Sequence, residues 1–597
     1  MKTDKASRTL KFPAPHESPS GQELGDFTVT PRVIPVALIA IVIGFIATLV
    51  AAALLRLIAL FTNAFYFQRL SIGSVSPATN HLGWLAVLVP IAGALIIGCM
   101  ARYGSERIRG HGIPEAIESI LLNGSRVEPR VALLKPLSAA ISIGSGGPFG
   151  AEGPIIMTGG AFGSMIAQLF HLTSAERKTL LVAGAAAGMS ATFAAPLSAT
   201  LLAVELLLFE WKPRSFIPVA LAAATAGAAR RYILGLGPLF PVEPHNLFLG
   251  PKGLVACVVA GILAGLFSGL LTKAVYAAED AFQKLPIHWM WWPAIGGLVI
   301  GLGGLIFPQA LGVGYDTIGA LLQADVPRAT IVGILLVKSV IWAVALGSGT
   351  SGGVLAPLLM MGGALGGIEA IFFPHVGPGF WSLISMGAIL GGTMRSPFTG
   401  VVFAMELTHD YNSLLPLLVA NTLAYAATAI LLKRSILTEK LSRRGFHLSR
   451  EYAVDPLEIL FVREVMRTNI VALRPDDVVR FRIDHSPKGQ HLYPIIDEER
   501  HVLGVVTRND LARDRKPPYR EPVVAFSNEP LRLVVYRMAE LQVTRMPVVD
   551  PEDDNRLAGM VSLQDLLTGR TRTLTEERTR ERVLRLRWPK PPDPVLR

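Results

Sequence analysis

The sequence predicts an all-α polytopic membrane protein built on an inverted internal repeat, followed by a small C-terminal pair of α/β modules. Three observations carry this. Of 597 residues, 51% are hydrophobic and 17% charged, a composition of chains solvated by lipid rather than of large soluble enzymes. The charge is segregated: the 157 positions from Leu441 onward hold 28 basic and 24 acidic residues, while the first 440 hold 28 and 21. A boundary near residue 440 therefore divides a lipid-solvated part from a water-solvated one. Finally, GSGGPFGAEGPIIMTGGAFG at Gly144 returns as GSGTSGGVLAPLLMMGGALG at Gly347, 203 positions later.

Residues 1–32 are polar, and Lys2, Lys5, Arg8, Lys11 and Arg32 precede the first apolar run. This places the N-terminus in the cytoplasm by the positive-inside rule, and no apolar signal region precedes the run. From Val33 to about Phe65 the chain is almost continuously apolar, and Gly83 to Met100 is a second span. The apolar segments then become short and broken by Gly and Pro: Pro114 to Leu122, Val131 to Ile143, Glu152 to Phe170, Thr179 to Met189 and Pro196 to Phe209. Such segments bury their irregular backbone in protein or against a water-lined cavity. A second pair of matching stretches follows the first, AAPLSATLLAVEL around Pro196 and RSPFTGVVFAMEL around Pro397, each with a glutamate nine residues after its proline, Glu205 and Glu406. Two pairs in the same order indicate a duplication, expected over about 83–231 and 253–435 within a transmembrane domain of 33–440. Duplicated membrane proteins with broken helices bind their substrate at the repeat interface.

Past a linker at 441–460, two small modules are expected at 461–515 and 520–570. YPIIDEERHVLGVVTRNDL at Tyr493 and MPVVDPEDDNRLAGMVSLQDL at Met546 each read as a strand, an acidic turn, a strand and a helix start. Gly504, Thr507 and Asp510 recur as Gly559, Ser562 and Asp565, 55 residues later. The first module is short between Met466 and Tyr493. A charged, proline-rich tail occupies 571–597.

The chemistry sits in the glycine-rich turns. A turn that opens straight into an apolar helix presents free backbone N–H groups and the positive end of the helix dipole, a site for an anion. Glu152 is the carboxylate placed in such a turn. It reads either as a cap of its own helix or as an anion that occupies the site until protonated or displaced. The repeat copy has Leu355 at that place, so the scaffold does not itself require a carboxylate. No H-E-x-x-H, Walker loop or paired cysteine ligands occur, and Cys99 and Cys257 lie in apolar runs as packing residues. Gly347, Gly349 and Gly352 fit G-x-G-x-x-G but lack the βαβ context of a dinucleotide site. The net charge of +11 forms no basic stripe interleaved with aromatics, which argues against nucleic acid. Neither a catalytic constellation nor a metal site is expected.

GHGIP (Gly110 to Pro114), GAEGP (Gly150 to Pro154) and GVLAP (Gly353 to Pro357), in this order on a duplicated apolar scaffold, resemble the signatures of the CLC chloride channel and transporter family, and the C-terminal modules resemble a CBS pair. The resemblance covers about residues 33 to 570. It implies a CLC-like fold and a homodimer with an anion pathway in each subunit, in the plasma or cell inner membrane with both termini cytoplasmic. Chloride is the first substrate, and no cofactor is required.

The amides of Val354 and Leu355 are implied at a central anion site, beside His111 and Gly112, and those around Ala151 and Gly153 at an outer one. Glu152 matches the gating glutamate. Several positions depart from the family pattern. His111 replaces serine, Leu355 phenylalanine, and Leu437 the tyrosine whose hydroxyl meets the central anion. Ala151 replaces a basic residue, and Leu206 replaces the inner glutamate of exchangers. Channel, chloride/proton antiporter and transporter of another anion all stand as readings. So does His111 as a loop histidine facing water. Thr507 with Asp510 and Ser562 with Asp565 match ribose- and phosphate-contacting positions for an adenine nucleotide, and equally an ordinary helix cap. A nucleotide-sensing membrane protein is the alternative from another class.

Overall fold

The computed structural model describes residues 29–578 except 122, 246–248, 444, 446–456, 458–459, 479–489, 514–517 and 555. Helix α1, Val33–Phe67, turns Ile34, Leu38, Val42, Phe45 and Leu49 outward and buries Ala40, Ile43, Ala47 and Ala51. Large apolar residues face the lipid and small ones let neighbouring helices approach, as suits a membrane interior. There follow α2 (Leu88–Tyr103), α3 (Ile113–Leu121), α4 (Pro129–Gly144), α5 (Glu152–Ala167), α6 (Ser174–Phe193), α7 (Pro196–Leu202, continued as a π-helix over Ala203–Leu208) and α8 (Pro213–Ile233). Their starts are written in the sequence. Proline opens α4, α7 and α8, and Thr173 with Glu176 forms a capping box at α6.

The second set comprises α9 (Pro251–Gln283), α10 (Trp292–Ile306), α11 (Tyr315–Leu322), α12 (Arg328–Gly347), α13 (Leu355–Glu369), α14 (Phe380–Met394), α15 (Pro397–Thr408) and α16 (Leu414–Leu431), with α17 (Ile436–Arg443) after it. Among the described residues six helices are long and apolar enough to cross a membrane. Helix α1 packs on α4, α6 and α8 as α9 packs on α12, α14 and α16, and α5 lies against α6 as α13 lies against α14. This pairing makes α1 the counterpart of α9. The first repeat therefore begins at Val33 rather than near residue 83. Motif matching misses α1 because it shares with α9 only length and apolarity.

The C-terminal region holds α18 (Val462–Val465), β1 (Leu492–Ile496), β2 (Val502–Thr507), α19 (Arg508–Arg513), β3 (Ala525–Phe526), α20 (Leu531–Glu540), β4 (Arg545–Asp550), β5 (Arg556–Ser562) and α21 (Leu563–Arg578). Strands β1 and β2 pair antiparallel, and β3-β4-β5 form a second sheet with β3 parallel to β4. The two hairpins carry a register shift at equivalent places, Ile495/Ile496 and Val548/Val549. Residues 1–28, most of the expected linker, the short stretch of the first module over 479–489 and the tail from 579 lie outside the described residues.

Contacts at the membrane surface fix the opposite sense of the repeats. Arg32, at the start of α1, pairs with Glu176 at the start of α6 (Nε to Oε1, 2.5 Å), and α21 packs on α6. Arg443 of α17 pairs with Asp280 at the end of α9. Helix α1 thus starts, and α9 ends, on the side that carries the C-terminal modules.

Candidate functional site

Helices α3, α5 and α13 all begin at one point inside the membrane domain. Their leading turns are stitched across the repeats by backbone bonds: Gly150 N–H to Gly353 O at 3.1 Å, Gly353 N–H to Gly150 O at 2.8 Å, and Gly110 N–H to Thr350 O at 3.2 Å. Only glycine permits this approach. A Cβ at Gly353 would lie 2.6 Å from the Gly150 carbonyl oxygen, and one at Gly153 would run into the His111 carbonyl. Three helix N-termini, each the positive end of a dipole, are thereby brought together by backbone bonds.

Glu152, the first residue of α5, is fully buried at this meeting point. The Tyr315 hydroxyl donates to its Oε1 at 3.5 Å. Oε2 has no hydrogen-bond partner among the described residues. A Cβ at Gly353 would lie 2.8 Å from Oε2, so the carboxylate rests on the backbone of the opposite repeat. Ala151, Gly153, Val354 and Leu355 are buried around it. The side chain of Glu152 therefore reaches across to α13 rather than only capping α5.

His111 is 6% exposed, and its Nδ1 has no hydrogen-bond partner among the described residues. It lines a cavity of about 580 Å³ with Glu115, Glu279 and Lys440, on the side where α9 ends. His111 is thus a buried side chain at the wall of this cavity. Glu115 accepts the Gly112 N–H at 2.8 Å and pairs with Lys440 of α17, holding the GHGIP turn in place. Leu437 is buried in the core and does not line this cavity. The nearby hydroxyl of Tyr276 donates to the Ile436 carbonyl at 2.5 Å.

Several residues escaped sequence reasoning. Lys135 on α4 and Lys338 on α12 are fully buried. Lys135 Nζ donates to the carbonyls of Ile108 and Gly110, and Lys338 Nζ to those of Ala310 and Gly312, all at 2.8 Å. The signal was present, since the two lysines stand 203 residues apart, the same offset as the glycine-rich copies. GVGYD (Gly312 to Asp316) likewise follows GHGIP by 202 positions and opens α11 with Tyr315. Glu205 and Glu406 cap reciprocally across the repeats. Glu205 accepts the Thr399 amide at 2.9 Å and Glu406 the Ser198 amide at 2.7 Å.

In the C-terminal modules Thr507 Oγ1 and Ser562 Oγ each donate to the carboxylate three residues on, at 2.6 Å. Arg520 holds Asp510 at 3.2 Å and Arg467 holds Asp565 at 2.7 Å. The cleft beside Ser562 measures about 60 Å³, against the roughly 300 Å³ or more of small-molecule sites. These four residues form helix caps in this conformation.

Residues 92–429 match the family described as Voltage gated chloride channel, and 462–516 and 518–570 match the CBS domain. The chain is 28% identical over 381 residues to a putative chloride channel protein ClcB-like of Ralstonia nicotianae, covering 62% of this chain and 89% of that protein. It is 31% identical over 409 residues to the H(+)/Cl(-) exchange transporter ClcA of Klebsiella pneumoniae, covering 64% and 83%. The crystal structure of a slow cyanobacterial Cl-/H+ antiporter superposes with a TM-score of 0.62 at 23% identity, over 70% of this chain and 99% of that one. That of a eukaryotic CLC transporter gives 0.60 at 19% identity, over 89% and 98%. The convergent glycine-rich helix starts, the inverted repeats and these matches together place the chain in the CLC, or voltage gated chloride channel, family, as a multi-pass integral membrane protein with a C-terminal CBS pair.

Proposed function

We propose that the protein carries small inorganic anions, chloride first, across the membrane, and that Glu152 is the gate. The observation that supports this most is the place of the Glu152 carboxylate. It lies where α5 and α13 converge, in contact with the backbone of both repeats and, among the described residues, without a cationic partner in direct contact. An anion attached to the chain that occupies an anion site can be displaced by a free anion, and its protonation removes the charge that holds it. Backbone dipoles bind weakly enough for release, which transport requires.

The relatives named as exchangers support proton coupling, and Leu206, at the place of the inner glutamate, supports an uncoupled channel. Chloride release from proteoliposomes with simultaneous pH recording separates these. A chloride gradient that drives protons uphill establishes exchange, and chloride movement that drags no protons rejects it. When neutral, the His111 imidazole offers one N–H donor to an anion in the cytoplasm-facing cavity. Exchanging that donor for a hydroxyl, His111→Ser, is expected to alter relative chloride, bromide and nitrate fluxes by up to about tenfold. An unchanged series would return His111 to a packing role.

The protein works as a homodimer with one pathway per subunit, in the plasma or cell inner membrane with both termini cytoplasmic. Exposed Leu197 and Phe398, at equivalent places in the two repeats, suit such a contact. A monomeric mass in mild detergent would oppose it. An adenine nucleotide at the CBS pair requires Arg467 to leave Asp565, and calorimetric titration with AMP tests for it.

A further inference from the structure

The segment joining the two repeats lies on the membrane face opposite α17 and the CBS pair, and it reaches back over the gate. Its backbone is tied to the end of α15, with Phe240 N–H to Leu407 O at 2.9 Å and Val242 N–H to Thr408 O at 3.4 Å. The buried Phe240 ring meets the Tyr315 ring edge-on, at 5.9 Å and 65°. Tyr315 in turn meets Phe193 at 6.4 Å, and Phe193 meets Phe403 at 5.0 Å. The hydroxyl of Tyr315 is the side-chain donor to Glu152. Tyr315 belongs to GVGYD, the counterpart of GHGIP in the other repeat.

Five residues beyond Phe240 the segment is fastened. His245 Nδ1 lies 2.7 Å from Asp410 Oδ2, and Nε2 lies 2.9 Å from the Pro378 carbonyl oxygen. A carboxylate and a carbonyl only accept, so this geometry suits an imidazolium that donates from both ring nitrogens. Burial opposes that charge, but the bonds to Asp410 and Pro378 outweigh it and hold His245 above its ordinary value of 6.5. The Asn412 side chain also donates to the His245 carbonyl at 2.8 Å, and Ser413 donates to Asp410. The clamp thus joins the inter-repeat segment to the α13–α14 and α15–α16 connections. Among the described residues, the ionisable groups facing Glu152 are Tyr315 from α11 and Lys338 from α12, and the one facing His245 is Asp410.

We propose that Tyr315 is a positioning residue for the gate, and that the inter-repeat segment is a strap that presses Tyr315 onto Glu152 through Phe240 and is fastened by the His245–Asp410 bond. The proposal rests on Glu152 being the gate. A hydroxyl donating to the carboxylate stabilises the charged, closed state, and a long, weak bond suits a side chain that must let go. Neither the CLC signatures nor the sequence repeat contains the strap. Its three contacts join residues far apart in the chain.

The test is chloride release from proteoliposomes of the full chain, with outer pH varied at fixed inner pH. Tyr315→Phe removes the hydroxyl alone and is expected to move the midpoint of the outer-pH response about half to one unit to the alkaline side. Asp410→Asn is expected to move it the same way, and the double variant no further than the larger single shift, because both act through one latch. Phe240→Leu replaces Asp410→Asn in this cycle if the latter yields no folded protein. A wild-type midpoint in Tyr315→Phe, or shifts that add in full, overturns the strap. Glu152→Gln measured alongside keeps the two ideas apart. A pH-independent Glu152→Gln with an unmoved Tyr315→Phe rejects the strap alone, while a wild-type pH response in Glu152→Gln rejects the gate itself.

Discussion

Chloride flux through Glu152→Gln is expected to be independent of outer pH from about pH 4 to 8, whereas the wild-type flux falls with rising pH by up to roughly tenfold per unit above its midpoint. The carboxamide keeps the size of the side chain and loses its titration. The fold has no other need for the charge, because α13 starts the same way with Leu355 where α5 has Glu152. The substitution therefore leaves α5 and its packing in place and removes only the anion that competes for the site. Flux traces on reconstituted protein at several outer pH values provide the check. Persistence of the wild-type dependence would remove Glu152 from the gating role.

Replacing either buried lysine, Lys135→Met or Lys338→Met, is expected to cost about 3–5 kcal/mol of stability and most of the flux. Two effects oppose one another here. Deleting a buried charge relieves its desolvation, which favours the variant. The deletion also strands two buried carbonyls on each side, Ile108 and Gly110 or Ala310 and Gly312. The second effect wins because each lysine bonds both carbonyls at 2.8 Å and those carbonyls shape the turns GHGIP and GVGYD. Thermal unfolding in detergent and the yield of folded protein measure the loss. A variant as stable as the wild type would show that the turns hold without the lysines.

Much of the scaffold was legible because its signals are local. Glycine and proline mark the helix starts, and their recurrence at a fixed offset discloses the duplication before any contact is known. The start of α5 at Glu152 and the hairpin pattern of the C-terminal modules were readable for the same reason. The site was legible as far as its backbone, since a glycine-rich helix start needs no distant partner to present N–H groups.

What remained hidden is made by one repeat closing on the other. Tyr315 and Glu152 are 163 residues apart, and His245 and Asp410 are 165. Glu205 looked like a residue beside a lost proton relay, but it caps α15 from the opposite repeat. Leu437 matched a tyrosine position by sequence, yet the side chain packs into the core, and what helix α17 contributes at the cavity is Lys440. Thr507 and Asp510 carry the same pattern as a nucleotide contact or a cap, and the bonds between the Thr507 hydroxyl and the Asp510 amide and carboxylate show the cap in this conformation.

The central claim is that the Glu152 carboxylate occupies a place that belongs to an anion. Anomalous diffraction from bromide-soaked crystals of Glu152→Gln tests it most directly. The expected result is a bromide peak between the starts of α5 and α13, against Gly150 and Gly353, where the wild-type carboxylate rests. A carboxamide still seated there, with no bromide between the two helix starts, would contradict it.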